Sequence, residues 1–211
     1  MKTFRLVISG ALFVFSSLHL IAAPLYWDPS QSTGTALGGT GNWNQEDPFW
    51  FNGANDIAWT NTNNDDAVFS GTAGTVTLTE NISAGNLYFT NVTGNYFITN
   101  ATGAEILTVA GAIDTGGGEH TIGAPIANSS TLNKNGGGRL HLPVDNSTTL
   151  TGSVVINQGD VSVENSTGIG ENNSITVVDG AALVLNGGAT GGGLTAFARF
   201  GGRVRKAVCA A

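Results

Sequence analysis

Gly138-Arg139-Leu140-His141-Leu142 is followed 21 residues on by Gly159-Asp160-Val161-Ser162-Val163, and then by Gly180-Ala181-Ala182-Leu183-Val184-Leu185 with one extra residue. The segments before them repeat as well, since Ser153-Val154-Val155-Ile156 lies 21 residues ahead of Ser174-Ile175-Thr176-Val177. A period of this length marks a solenoid, in which each repeat buries its apolar face only against its neighbours. Alternation in Val154/Ile156, Val161/Val163 and Ile175/Val177 places these side chains on one face of each strand. They are expected in the core, together with Leu140, Leu142, Leu183 and Leu185. Asn157-Gln158-Gly159 and Val178-Asp179-Gly180 read as corners, where Gly or Asn takes the left-handed region. An antiparallel sandwich is also built of short strands, but its strands have no reason to recur in sequence. The reading is an all-β, parallel solenoid whose turn glycines include Gly138, Gly159 and Gly180.

Composition agrees. The 211 residues include 31 Gly and only 11% charged side chains, and no amphipathic helix stands out beyond the N-terminal region. All fifteen acids lie between Pro24 and Thr195, where Lys134 and Arg139 are the only basic residues. Nucleic acid binding needs clustered Lys and Arg, so it is excluded. The acidity suits the solubility of an exported protein.

Lys2 and Arg5, the apolar run Leu6 to Ile21 and the small pair Ala22-Ala23 read as a secretory signal peptide over residues 1–22. The run falls short of the ~20 apolar residues a membrane span needs. No second hydrophobic span follows, so the mature chain is expected to be secreted or displayed at the cell surface. Cys209 is the only cysteine, which rules out an intrachain disulfide.

Beyond the signal region the chain divides into three zones. Residues 23–72 hold every tryptophan and read as an N-terminal cap; residues 73–187 read as the solenoid; residues 188–211 are a Gly-rich and basic tail. Four of the eight basic residues fall in Ala196 to Lys206. The abrupt change suggests a tail that is disordered, truncated or foreign to the fold, in a chain that is itself incomplete. The alternative is a basic segment for anionic lipid or polysaccharide.

Leu132-Asn133-Lys134-Asn135-Gly136-Gly137-Gly138-Arg139-Leu140-His141-Leu142 resembles the opening of the autotransporter-associated β-strand repeat. Asn146, Gly152, Val154, Ile156 and Gly159 match its later positions. Leu150 stands where an aromatic is usual, two extra residues precede it, and Pro143 replaces a small residue. Trp27-Asp28, Gly38-Gly39-Thr40-Gly41-Asn42-Trp43 and Asp66-Ala67-Val68-Phe69 resemble the mature start of secreted members. The resemblance implies a right-handed parallel β-helix at or outside the cell surface, with no catalytic residues. It also leads one to expect an anchor or exporter, which is expected to lie outside this sequence.

Other constellations carry less. His120 and His141 lie 21 residues apart and would share a metal only if stacked; the preferred reading turns both to solvent. Gly38-Gly39-Thr40-Gly41 lacks the Asp and the tandem copies of a calcium-binding repeat, and no glycine cluster leads into a phosphate loop. Asp65-Asp66 and Glu46-Asp47 are adjacent acids that a β-helix polysaccharide-degrading enzyme would use, but strand neighbours point to opposite faces. Neither a catalytic residue, a metal site nor a cofactor is assigned. Trp43, Trp50 and Trp59 have two open roles: stacking on an extracellular polysaccharide or cell-surface glycan, or plugging the end of the solenoid. Plugging is preferred. The functional expectation is a non-enzymatic, passenger-like protein with a structural or adhesive role, the alternative being a carbohydrate-binding module.

Overall fold

The computed structural model describes residues 22–171 and 173–186, and the backbone alone of 197–200. The signal-peptide residues up to 21, most of the basic tail and Cys209 lie outside the described residues. Among the described residues every regular element is a strand. They form a parallel β-solenoid with one ten-stranded, one seven-stranded and one three-stranded sheet.

One turn shows the construction. Thr131–Asn135 lies in the long sheet, and Arg139–Leu142 follows in the seven-stranded sheet. The third side passes through the bridge between Leu150 and Asn128, and Ser153–Ile156 re-enters the long sheet beside Thr131–Asn135. Parallel register puts Leu140 beside Val161 and Val161 beside Leu183. The sandwich alternative is thereby excluded. The period drifts: Glu119 pairs with Arg139, Arg139 with Asp160, and Asp160 with Ala182. Strand lengths hold while corner loops absorb the change, as a stack of pleated rungs requires.

Side chains aligned by register form columns inside the solenoid. Leu25, Ala67, Leu87, Ile113, Lys134, Ile156 and Val177 make one, strand upon strand of the long sheet. Leu140, Leu142, Val154, Ile156, Val161, Val163, Ile175 and Val177 are all buried. Leu183 and Leu185 are only half-buried, and among the described residues Ala182–Leu185 is the edge strand of the seven-stranded sheet, paired on one side.

The parallel ladder crosses the boundary drawn at residue 72. Leu25 already pairs with Ala67, and Gly41 with Val76. The first turn carries no sequence period because an excursion over residues 44–65 interrupts it. Within that excursion Trp50–Phe51 pairs antiparallel with both Tyr26-Trp27 and Asp56–Ile57. This short ribbon covers the backbone edge that the first strand of the long sheet would otherwise expose.

Candidate functional site

The aromatic residues of the first turns converge on the axis. Trp27, Trp43, Trp50 and Trp59 are all essentially inaccessible to solvent. Ring centroids lie 4.8 Å apart for Trp43 and Trp50, 4.7 Å for Trp50 and Trp59, and 5.0 Å for Trp43 and Trp59. Phe69 packs on this group and stacks on Phe89 at 5.2 Å, and Phe89 stacks on His120 at 4.2 Å. An aromatic spine thus runs inward from the plugged end. Trp27 Nε1 donates to the Gly39 carbonyl and Trp59 Nε1 to that of Ser83. The Nε1 groups of Trp43 and Trp50 are buried without partners. Stacking on a sugar requires an open ring face, and Trp43, Trp50 and Trp59 offer none here.

His120 corrects the expectation that both histidines face solvent. It is buried, stacked on Phe89, with Nδ1 accepting from the Tyr96 amide at 3.1 Å. Burial, with the positive charge of Lys134 adding to it, pushes its pKa down to about 4, so the ring is neutral at ordinary pH. His141 stays on the outer face. Because the turn between them measures one residue less than the repeat period, His120 pairs with Leu140, and His141 with Thr121. The two rings therefore point to opposite faces of the sheet.

The repeat glycines serve different ends. A side chain at Gly138 would collide with the Gly118 backbone on the turn below. Gly159 has φ of 62° and approaches the Gly136–Gly138 backbone. Gly180 has φ of 90° and open space around it, so only conformation calls for glycine there. The Gly136–Gly138 corner closes over Lys134, whose Nζ donates to the carbonyls of Asn135, Gly136, Gly138 and Gln158 at 2.8 to 3.0 Å. An ammonium has three protons for these four acceptors. Burial lowers its pKa to about 8 against the pull of Asp114 and Asp160, which leaves it charged at neutral pH. Lys134 is thus a buried cation that gathers two successive corners.

On the outer face of the seven-stranded sheet, Arg139 pairs with Asp160 at 2.8 Å. His141 Nδ1 lies 2.6 Å from Glu164 and its Nε2 3.7 Å from Glu119. Ser162 donates to the same Glu164 carboxylate. These chains link three consecutive turns across the ladder, a pattern of cross-strand pairing. Asp65 accepts from the Ala23 amide, and Asp66 from the backbone and side chain of Asn86. Asp47 and Glu46 close a turn on Asn44. The adjacent acids therefore hold turns and neighbouring rungs. Among the described residues no group of three or more His, Cys, Asp and Glu is placed to hold a metal.

Sequence reading missed Lys134 as a core residue and the Glu119–His141–Glu164 contact. The first was legible: Leu132 and Lys134 alternate on one face, opposite Val154 and Ile156. The second needs the register, which the sequence does not print.

A ladder of stacked turns with a filled interior and a plugged end defines a parallel β-solenoid repeat protein. The chain belongs with the autotransporter-associated β-helix proteins, as its likeness to a relative shows. It is 34% identical over 180 residues, 82% of its length, to the protein named Adhesin BmaC autotransporter of Brucella suis biovar 1 (strain 1330). The chain spans about 5% of that relative's length. No family model matches the chain, and no solved structure matches it.

Proposed function

We propose that this chain is part of a surface-displayed, passenger-like protein whose task is adhesion, with the solenoid as the display element. The observation that carries the reading is the likeness, over 82% of the chain, to a protein named as an adhesin. The organisation is consistent with it. Most apolar side chains line the interior columns, while strands such as Glu119–Ile122 and Thr131–Asn135 turn Thr, Asn and a carboxylate outward. Such faces suit contact over an extended surface more than chemistry in a pocket. The chain acts without catalysis in this reading, and residues 1–22 direct its export.

Purified chain coated on a plate should retain epithelial cells in a dose-dependent, saturable way. Retention no greater than on a surface coated with an unrelated acidic protein would remove the adhesive reading. Protease shaving of intact producing cells checks the location, since a displayed chain is digested without lysis. The enzyme alternative predicts release of reducing ends from polysaccharide, abolished by Asp66→Asn. The carbohydrate-binding alternative would need the tryptophans to leave the core.

A further inference from the structure

The outward face of the long sheet carries an aromatic row whose outermost member, Phe51, packs its ring against Gly34 of the turn that follows the first strand. Register aligns Phe51 with Tyr26, Tyr26 with Val68, and Val68 with Tyr88 across four neighbouring strands. The row continues from Tyr88 to Asp114 and then to Asn135. Tyr26, Phe51 and Tyr88 are half-buried, and Val68 between the two tyrosines is only 5% exposed. Val68 points outward between the two tyrosine-bearing strands and is nevertheless closed off from solvent. Two strand spacings, about 9.6 Å, separate the tyrosine backbones. Among the described residues neither tyrosine hydroxyl donates a hydrogen bond within the protein, and neither ring packs on another aromatic ring, unlike Tyr96.

The strip is bordered by carboxylates. Asp66, one strand below Tyr88, uses Oδ1 for Asn86, and Asp114, one strand above, uses Oδ1 for the Gly116 amide. Their second oxygens have no partner among the described residues. Both acids act on Tyr88: its hydroxyl is pushed up from the usual phenol range first by burial and then by Asp66 and Asp114. Among the described side chains no cation forms an ion pair with either acid, although Lys134 inside the solenoid attracts Asp114 through the sheet. Of the two basic residues between Pro24 and Thr195, Lys134 is caged inside and Arg139 pairs with Asp160 on another sheet.

We propose that the strip Tyr26–Val68–Tyr88, with Asp66 and Asp114, docks a Lys/Arg-bearing segment of a protein partner. Aromatic faces accept guanidinium or ammonium groups and cover their aliphatic stems. The half-free carboxylates supply the charge complement, which steers and orients the segment. A polyanion is repelled by the same groups. The inference rests on the adhesive reading and names the contact surface within it.

The probe is a hexa-arginine peptide, titrated calorimetrically against the full chain, with laminarihexaose as a neutral-glycan comparison. Tyr26→Ser with Tyr88→Ser removes no charge, and it should weaken peptide binding about tenfold or more. Asp66→Asn with Asp114→Asn should weaken it similarly. Glu171→Gln with Asp179→Asn removes equal charge at a distant, exposed corner and should change it less than about twofold. Peptide affinity unchanged in the tyrosine variant would overturn the strip, because overall acidity then explains binding. Laminarihexaose binding lost in that variant would overturn the cationic partner in favour of a glycan. Wild-type chemical shifts give an independent reading. Perturbation by hexa-arginine centred on Tyr26 and Tyr88 supports the strip, and perturbation spread over remote acids overturns it. Cell retention separates the two claims. Retention kept in full by the tyrosine variant defeats the strip and leaves adhesion standing. Failure of wild type to retain cells, with peptide binding at the strip intact, defeats only the adhesive reading.

Discussion

Lys134 sits between Ile113 and Ile156 in an aliphatic column, where a hydrophobic side chain is the ordinary occupant. Its ammonium is held because corner carbonyls from two turns, turned inward by the glycines, need a donor. Replacement by Met keeps the column filled and leaves four carbonyls without their donor. Lys134→Met is expected to lose about 2 kcal/mol in urea unfolding, and Lys134→Ala more, since it adds a cavity. His120 supplies a pH effect of opposite character. Its folded value near 4 lies below the ordinary 6.5, so the unfolded chain takes up the proton first as pH falls. That contribution is intact above pH 6.5 and is lost between about 6.5 and 4. His120→Phe keeps the stack on Phe89 and cannot titrate. The stability difference between wild type and variant should therefore shift by on the order of 2 kcal/mol across that window, against the wild type at low pH. Equal pH slopes in the two proteins would show that His120 is not buried as the neutral ring.

Strands were legible wherever apolar alternation repeated, as at Val154/Ile156 and Val161/Val163, because identical rungs stack at a fixed period. The first turn was not, because residues 44–65 leave the ladder to form the plug and erase the period. The fate of the tryptophans was half legible. Clustering of all four in one aperiodic stretch announced a special element, but a sequence does not say whether an indole faces in or out. His120 was misread for a related reason, since a turn shorter by one residue changes which side chains share a face. The plug yields a comparison among equally buried residues. Trp27 and Trp59 each satisfy Nε1, whereas Trp43 and Trp50 bury it unpartnered. Trp→Phe at 43 or 50 should therefore cost about 1 kcal/mol less than at 27 or 59, read as thermal midpoints of the four variants. Trp50→Ala, which opens a void at the centre of the group, should cost about 3–5 kcal/mol.

At the scale of the molecule, the solenoid makes coupling nearly one-dimensional. Leu140 and Val161 are register partners in adjacent strands, so each forms part of the other's packing wall. Val76 belongs to the same sheet, but two strands of that sheet stand between its own and the strand of Leu140. Truncation to Ala at any of these sites should cost about 1–4 kcal/mol alone. Leu140→Ala with Val161→Ala shares one enlarged cavity, so the double variant should depart from additivity by more than about 0.5 kcal/mol. Leu140→Ala with Val76→Ala should add within about that margin. The same geometry predicts where unfolding starts. Among the described residues Ala182–Leu185 is an edge strand with half-buried leucines, while Arg139–Leu142 is paired on both sides and cross-linked by Arg139–Asp160 and His141–Glu164. Amide exchange should be fastest through the former and slowest through the latter, with the aromatic plug protecting the opposite end. Uniform protection across all rungs would mean that the stack opens as a single unit.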